Sequence, residues 1–282
     1  MIRKRKKIIK DILTHMVLII VVCFMMLPLM SMIGTAFTKH DAVASSTTMF
    51  PGLGEWSLEN FSGVLRKTSY GRNMIVSAVV SVSVSATILG ALVSTFSGYA
   101  LSRFKGPFYT LNLFLMLLMQ MFPGMLSTIP LFLMAIKLGL VDHLSGLVLV
   151  HLGGNLGFNL MMMMSFYDST PVEIEEAGRV DGATNFQVFV KLILPLVKPG
   201  IATISIMVFL NSWNEYTMSS LLLRNNNLQT LTVGMTKFQS LDIIDWGYLM
   251  AASTLAVIPA LFFMFFAQKY LVQGLTSGAV KG

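Results

Sequence analysis

Acidic side chains are concentrated in one stretch of this sequence, residues 168–200. Five of the chain's 13 acidic residues lie there: Asp168, Glu173, Glu175, Glu176 and Asp181. Arg179 stands among them, so the stretch offers charges of both signs for contacts with another molecule. Long apolar segments precede and follow this polar loop. A loop of such length and charge in so apolar a chain indicates a place where a membrane-embedded part meets something soluble.

A second group of polar side chains lies around Glu215, with Asn211, Trp213 and Asn214 beside it. An ionisable group at membrane depth is by default a candidate functional group, and it often faces a water-filled cavity. Two alternatives stay open. Trp213 could be an anchor at the membrane interface, and Glu215 could be a structural hydrogen-bond partner.

The sequence offers no other recognisable chemical site. It contains no G-x-x-x-x-G-K-[ST] phosphate loop and no H-E-x-x-H metal motif, and its four histidines are scattered. We therefore expect no catalytic residue, no metal and no cofactor bound by this chain. The single cysteine, Cys23, excludes an internal disulfide. The net charge of +7 forms no basic face interleaved with aromatics, so it indicates membrane orientation rather than nucleic-acid binding.

The composition requires a membrane around most of the surface. Hydrophobic residues make up 55% of the 282 residues and charged ones 12%, whereas a soluble domain carries about 25% charged residues. The apolar runs are continuous for about 20 residues, which is typical of spanning helices and not of barrel strands. The sequence therefore predicts an all-α integral membrane protein with a single transmembrane domain over residues 1–282.

Six spanning helices are predicted, each long enough to cross a hydrocarbon core of about 30 Å. They cover residues 15–37, 73–101, 108–136, 144–167, 201–223 and 248–271. With both termini in the cytoplasm, 13 of the 20 lysines and arginines fall on the inner side, which supports that orientation. The first segment could instead be a signal peptide cleaved near Ala42-Val43-Ala44. Its apolar run exceeds the usual length of about 7–15 residues, which favours a retained span.

Prolines interrupt several predicted spans: Pro28 in the first, Pro123 and Pro130 in the third, and Pro259 in the last. Each removes a backbone donor, and each by itself is most simply a helix kink. The fourth span carries Asn155 and Asn159 among glycines. The glycines favour close helix packing, whereas the amides could bond across helices or line a path.

The polar loop contains the signals of two short helices. Thr170 and Glu173 fit a capping box with Pro171 at the first helical position, and Thr184 with Gln187 fits a second. Between them, Asp181-Gly182 is a natural turn. We expect the second helix to pack one apolar face, formed by Phe186, Phe189, Val190 and Ile193, on the membrane domain. The charges near the turn are expected to supply contacts, through Glu175, Glu176, Arg179 and Asp181.

The pattern Glu176-Ala177-Gly178-x-x-Asp181-Gly182, nine residues and then Leu192-x-Leu194-Pro195 resembles the EAA loop of the permease subunits of bacterial ABC importers. The chain departs from that pattern at Gly178, usually alanine, and at Leu192, usually isoleucine. Three further segments resemble the maltose/maltodextrin-type carbohydrate permeases, so that the likeness covers nearly the whole chain after about residue 70. They are Gly98-Tyr-Ala-Leu-Ser-Arg103, Trp213-Asn-Glu-Tyr216 and the C-terminal Gln273–Gly282.

The resemblance implies a type I ABC importer permease fold, in which the polar loop lies in the cytoplasm of a bacterial inner membrane. It implies docking onto a dimeric ABC ATPase through Glu176, Ala177, Gly178, Asp181 and Gly182. It also implies a second ATPase contact at the C-terminus, through Gly278 and Lys281. Further expected partners are a second permease subunit, which would make a heterodimer, an extracytoplasmic sugar-binding protein, and membrane lipid. ATP and Mg would be used by the ATPase and not by this chain.

The resemblance also implies the cargo, a maltose- or maltodextrin-like oligosaccharide. Asn211, Asn214 and Glu215 would then exchange hydrogen bonds with sugar hydroxyls, and Trp213 would cover an apolar ring face. Another oligosaccharide or a glycerol-phosphate-type solute is an alternative cargo. A membrane-embedded enzyme using Glu215 is a different kind of alternative, which leaves the polar loop without a purpose. A secondary transporter would normally carry internal repeats, and we find no convincing repeat.

Overall fold

A computed structural model describes residues 2–45, 48–78, 82–239 and 244–279 of the chain, and the regular structure in these ranges is helical. Two isolated antiparallel β-bridges, Thr38 with Trp56 and Gln239 with Ile244, are the only sheet-like pairings found there. The all-α prediction is therefore confirmed. Contacts divide the chain into two compact units, residues 1–71 with 235–257 and residues 72–234 with 258–282.

The helices follow one another along the chain with short connections. In order they are α1 (Ile2–Ala36), α2 (His40–Val43), α3 (Glu59–Lys67), α4 (Tyr70–Ala78), α5 (Val82–Arg103), α6 (Tyr109–Met121), α7 (Gly124–Lys137), α8 (Leu144–Asp168), α9 (Glu173–Val180), α10 (Asn185–Val188), a π turn (Phe189–Ile193), α11 (Leu194–Leu196), α12 (Lys198–Asn214), α13 (Thr217–Leu222), α14 (Leu231–Met235), a 3₁₀ turn (Thr236–Phe238) and α15 (Trp246–Ala279).

Four helical stretches are long and apolar enough to cross a membrane, judged by length and composition. They are Ile9–Ala36, Tyr70–Arg103 (α4 and α5, which are described on either side of residues 79–81), Leu144–Asp168 and Trp246–Phe265. The number rises to six if two bent helix pairs, α6 with α7 and Asn185–Leu196 with α12, each count as one span. The six predicted spans overlap these stretches in order. Their orientation and the single domain stay predictions.

The third predicted span is broken rather than kinked. Helix α6 ends at Met121 and α7 begins at Gly124, and the two axes differ by 102°. Phe122 and Pro123 between them are extended, with ψ of 121° and 122°. Proline cannot donate the hydrogen bond that would continue α6, so the chain turns there. The other interrupting prolines, Pro28, Pro130 and Pro259, remain inside helices.

The fifth predicted span also has different ends from those expected over residues 201–223. Helix α12 begins earlier, at Lys198 after a bend of 71°, with proline in its first turn. It ends at Asn214, because Glu215 is extended with φ −71° and ψ 128°. The chain then forms the separate short helix α13.

The second unit is built around close packing of α5 against α8 and α12. A Cβ atom added to Gly98 would lie 2.7 Å from Met163 Cβ, closer than side chains tolerate, so only glycine lets α5 approach α8 here. In the same way, a Cβ on Gly200 would lie 2.5 Å from the Phe166 ring. A buried cluster forms beside these contacts, made of Met163, Tyr167, Val188, Phe189, Ile193, Val197 and Ile204. With the partly buried Ala91 and Tyr99 of α5 packed against it, the cluster joins α5, α8 and α12 to the polar loop.

In the first unit, Asn60 holds the end of α1 against α3. Its side chain is fully buried, and Nδ2 donates to the carbonyls of Ala36 (3.2 Å) and Thr38 (2.7 Å). Because the amide nitrogen is used in this way, Oδ1 must accept from Nδ1 of His40 at 2.9 Å. The imidazole of His40 in turn lies 4.6 Å from the Tyr248 ring, so Asn60 is connected through His40 to helix α15.

Asn60→Ala should lower the stability of the purified protein, because it leaves two buried carbonyls without a donor. We expect a loss of about 2 kcal/mol, the usual cost of unsatisfied buried polar groups. Thermal denaturation in detergent measures it. Ser62→Ala on the same helix is the matched control, since Ser62 is exposed. Equal melting temperatures for both variants would contradict this role of Asn60.

Candidate functional site

The polar loop folds into two short helices joined by a bend. Helix α9 ends at Val180, and the amide of Gly182 donates to the carbonyl of Arg179 at 3.0 Å. Gly182 has φ +85°, a backbone conformation that side chains with a Cβ rarely adopt. The predicted turn at Asp181-Gly182 is therefore present, and a glycine is the natural residue for it.

The second predicted capping box is confirmed and the first is wrong. The amide of Gln187 donates to Thr184 Oγ1 at 3.3 Å, and the amide of Thr184 donates to Gln187 Oε1 at 2.9 Å. Thr170 instead closes the end of α8, since its hydroxyl donates to the carbonyl of Phe166 at 3.1 Å. Helix α9 starts only at Glu173, without a side-chain cap. The buried hydroxyl of Thr170 thus bonds the last turn of α8 rather than the first turn of α9.

The apolar face of the second helix differs from the predicted one. Val188, Phe189 and Ile193 are buried in the cluster that lies against α8, whereas Phe186 is 69% exposed and Val190 is also exposed. The cause is the π turn Phe189–Ile193, which the sequence did not indicate. A π turn inserts an extra residue, so residues before and after it no longer keep the α-helical face.

The residues matched to the EAA pattern lie on two sides of α9. Glu176, Ala177, Asp181 and Gly182 are exposed. Gly178 is buried, as is the neighbouring Glu175. Val180 is 87% exposed, so the exposed side of the loop combines charge with apolar surface. The expectation that Glu175 supplies a surface contact is wrong, since only 1% of its area is accessible.

The two departures from the EAA pattern contact each other. A Cβ on Gly178 would lie 2.6 Å from Leu192 Cδ1 and 3.1 Å from Val188 Cγ2. Glycine at 178 therefore gives space to leucine at 192, and together they fix how closely α9 lies on the second loop helix. The space that a Cβ of residue 178 would fill is occupied by the side chains of Leu192 and Val188.

The buried carboxylate of Glu175 is the centre of a polar cluster, here called the Glu175 cluster, with Tyr99, Arg103 and Arg179. Arg103 Nε donates to Glu175 Oε1 at 2.6 Å, and the Tyr99 hydroxyl donates to Oε2 at 2.8 Å. Arg179, which is half exposed, reaches Oε2 at 3.3 Å from the next turn of α9. A buried carboxylate needs such donors, because an unpaired charge away from water is costly.

Arg103 also uses its other nitrogens. Its Nη2 donates to the carbonyl of Thr170 at 3.0 Å, and its Nη1 donates to Ser102 Oγ at 3.0 Å. Ser102 donates in turn to Asp168 at the end of α8. The segment Gly98–Arg103, noted in the sequence only as a family likeness, is therefore the part of α5 that contacts the polar loop. Sequence reasoning missed Tyr99, Ser102 and Arg103 as site residues, because their partners lie 66–76 positions away.

The carboxylate of Glu215 caps helix α13. It accepts from the amides of Met218 (2.6 Å) and Ser219 (2.9 Å), and from the Ser219 hydroxyl at 2.8 Å. His151 Nε2 on α8 lies 3.5 Å from Oε2, an ion pair when the imidazole is protonated. The carboxylate keeps partial exposure, 21% of its side chain. Glu215 is therefore a structural hydrogen-bond partner, which is one of the two alternatives that the sequence left open.

The three remaining residues of this region have different surroundings. Asn211 and Asn214 are exposed, and Asn211 donates to Asn155 Oδ1 on α8 at 2.8 Å. Asn214 donates to the carbonyl of Leu210 in its own helix at 2.9 Å. Trp213 is only 3% exposed and stacks on Phe209 with a centroid distance of 5.5 Å. The amides are therefore accessible, whereas the indole is packed and has no accessible face with which to cover a sugar ring, contrary to the expectation for Trp213.

Of the two C-terminal residues, Gly278 lies in the last turns of α15. Lys281 lies outside the described residues. The expected second ATPase contact stays a prediction.

Comparison with known proteins gives consistent matches over most of the chain. Residues 86–277 match the family described as "Binding-protein-dependent transport system inner membrane component". The maltodextrin transport system permease protein MalD of Streptococcus pneumoniae is 30% identical, over 99% of this chain and 98% of its own. The maltodextrin transport system permease protein MdxG of Bacillus subtilis is 30% identical over 98% of both chains.

A solved structure has the same fold. It is a chain of a bacterial ABC transporter involved in the import of the acidic polysaccharide alginate, with a TM-score of 0.73 and 23% identity, and the match covers 95% of this chain and 98% of that one. The expected ABC importer permease fold is therefore confirmed.

The contact between Gly178 and Leu192 can be tested by a double-mutant cycle. Gly178→Ala alone should overpack against Leu192, whereas Gly178→Ala with Leu192→Ile should be tolerated, since isoleucine carries one δ-methyl group instead of two. We expect a coupling of at least about 0.5 kcal/mol, as for residues in contact. Melting temperatures in detergent measure it. Gly178→Ala combined with Lys191→Ala, an exposed neighbour, is the control and should be additive. Additivity in both pairs would contradict the contact.

Proposed function

This chain belongs to the family of binding-protein-dependent transport system inner membrane components, and on that premise we propose that its polar loop docks onto a separate dimeric ABC ATPase. The chain is the permease subunit of a sugar ABC importer. The docking residues would be Glu176, Ala177, Asp181 and Gly182, with Gly178 supporting them from the buried side.

The exposed side of the loop is the observation that carries this proposal. Val180 and Phe186 are 87% and 69% exposed, beside the acidic side chains of Glu176 and Asp181. Exposed aromatic side chains such as Phe186 are enriched on surfaces that bind another protein. A mixture of apolar anchors and rim charges fits a protein cleft better than it fits lipid or water.

The energy for transport would come from the partner. Because the sequence contains no phosphate loop, we propose that ATP and Mg are bound and hydrolysed by the ATPase alone, and that this chain binds no cofactor. The permease would turn closure of the ATPase into movement of its helices. Gly278 and Lys281 would add a second contact with the ATPase.

The remaining partners follow from the same class of importer. We propose a heterodimer with a second permease subunit, and an extracytoplasmic protein that binds the sugar and delivers it. Both termini and the polar loop would then face the cytoplasm, as the distribution of lysines and arginines also favours.

The cargo that we propose is a maltodextrin-like oligosaccharide. Two similar permeases carry maltodextrin in their names, and both cover nearly the whole of this chain. Asn211 and Asn214 are exposed one helical turn apart on α12, and Glu215 follows them. Amides and a carboxylate suit sugar hydroxyls, since they accept and donate hydrogen bonds. Trp213 would support these three polar residues from the buried side of α12, because its ring is packed on Phe209.

Docking at the turn predicts different effects for two substitutions of Gly182. A Cβ there meets no atom within 4 Å, so Gly182→Ala adds only backbone strain from the positive φ, about 1 kcal/mol. Gly182→Trp adds the same strain and a bulky ring on the docking side. We expect Gly182→Trp to abolish uptake while membrane insertion persists, and Gly182→Ala to keep most of it. Uptake by whole cells and membrane immunoblots measure the two quantities. Full transport by Gly182→Trp would exclude docking at this turn.

The cargo and its path can be tested together by uptake of radiolabelled maltotriose. We expect uptake that unlabelled maltodextrins compete away and glycerol phosphate does not. Competition only by glycerol phosphate or by an unrelated oligosaccharide would replace the proposed cargo.

Asn214→Ala should reduce maltotriose uptake about 3- to 10-fold, the effect of losing one hydrogen bond to the sugar. Asn112→Ala, another exposed asparagine on a helix, is the matched control and should leave uptake unchanged. Equal uptake by both variants, at equal amounts in the membrane, would remove Asn214 from the path.

A further inference from the structure

The polar loop is connected to three helices in two different ways. Helix α8 leads directly into the loop at Asp168, and α12 leaves it at Lys198, so both are joined to it by the chain. Helix α5 has no such direct connection, because 69 residues separate its end at Arg103 from the start of α9 at Glu173. Its side-chain links to the loop are the Glu175 cluster, the bond from Ser102 to Asp168 at the start of the loop, and ring contacts of Tyr99 and Phe96 on Phe189 at 4.8 and 5.4 Å.

The cluster lies on the side of α9 opposite the exposed residues. Glu175 and Gly178 are buried, one turn apart, whereas Glu176 and Val180 are exposed, also one turn apart. A force on the exposed side therefore acts on a helix whose other side is held by Arg103 and Tyr99. The guanidinium of Arg103 bonds the carboxylate of α9 and the carbonyl of Thr170, so it contacts both ends of the connection between α8 and α9.

We propose that Arg103 and Tyr99 are positioning residues that pass movement of the polar loop to α5. Without them, displacement of the loop would reach α8 and α12 through the chain but α5 only through its packing against those two helices, so the end of α5 at Arg103 would follow the loop less closely. The paired, buried geometry suits this role, because two short charge-assisted bonds fix both distance and angle. The inference rests on the proposed docking of the loop to an ATPase.

The test uses the complete transporter in nanodiscs, with ATP plus orthovanadate compared with no nucleotide. Two single-cysteine reporters are placed in a Cys23→Ser background, Phe104→Cys just after α5 and Lys191→Cys in the loop, both at exposed positions. The measurement is the rate of modification by a water-soluble maleimide. With Arg103 and Tyr99 intact, both rates should change on nucleotide trapping.

Arg103→Gln should separate the two reporters. We expect the nucleotide-induced change at Phe104→Cys to fall about fivefold or more, the lower end of the range for coupling between sites, while the change at Lys191→Cys persists. Tyr99→Phe keeps the ring contacts and should give a smaller loss in the same direction. Arg103→Gln with Glu175→Gln should recover part of the response, because no buried charge is then left unpaired. Lys105→Gln removes a charge from an exposed residue near the same helix end and should have no effect.

Two results would overturn the inference. An unchanged response at Phe104→Cys in Arg103→Gln and Tyr99→Phe would mean that α5 moves without the cluster. Loss of both reporter responses in the milder Tyr99→Phe would mean that the cluster only holds the loop in its docked form. Failure of the proposed docking looks different, since neither reporter would then respond with Arg103 and Tyr99 intact.

Discussion

The buried carboxylate of Glu175 is the constraint on which the arrangement of the polar loop depends. A charge with 1% of its area exposed needs donors from the surrounding structure, and Arg103 and Tyr99 supply them from a helix 72–76 residues earlier. Once this contact is made, the orientation of α9 follows, and Glu176 and Val180 must point outward. The same ion pair therefore determines which residues of the loop a partner can reach.

Close packing of glycines makes that contact possible. Gly98 lets α5 lie against Met163 of α8, and this brings Arg103 to the level of the loop. Gly178 lets α9 lie on Leu192, so the two short helices form one compact layer. Interiors are packed densely enough that one added methyl group is felt. Charge pairing and close packing thus act together, since neither positions the loop alone.

The break after α12 follows a related rule, that freed backbone groups in an apolar surrounding need partners. At the end of α12, Glu215 provides them: its carboxylate accepts the first free amides of α13. The break therefore lies where the Glu215 side chain can accept hydrogen bonds from the freed amides. Asn211 and Asn214, at the end of α12, remain accessible beside it. The same short segment therefore contains both the side chain that caps α13 and the accessible amides of Asn211 and Asn214.

The sequence by itself determined the features that depend on neighbouring residues. Long apolar runs required membrane helices, Asp181-Gly182 required a turn, and Thr184 with Gln187 required a helix start, all of which the structure contains. These signals are local, because periodicity, φ preference and capping involve residues a few positions apart.

Only the tertiary structure decided which loop residues face inward. Glu175 and Glu176 are adjacent and chemically alike, and the first is buried because Arg103 lies opposite it. Thr170 was expected to cap α9 and instead bonds α8, and the π turn moved Phe186 out of the apolar face. Each of these outcomes depends on contacts between segments that are distant in the sequence, or on the helical register that such packing sets. The spacing of neighbouring residues in the sequence does not reveal these contacts.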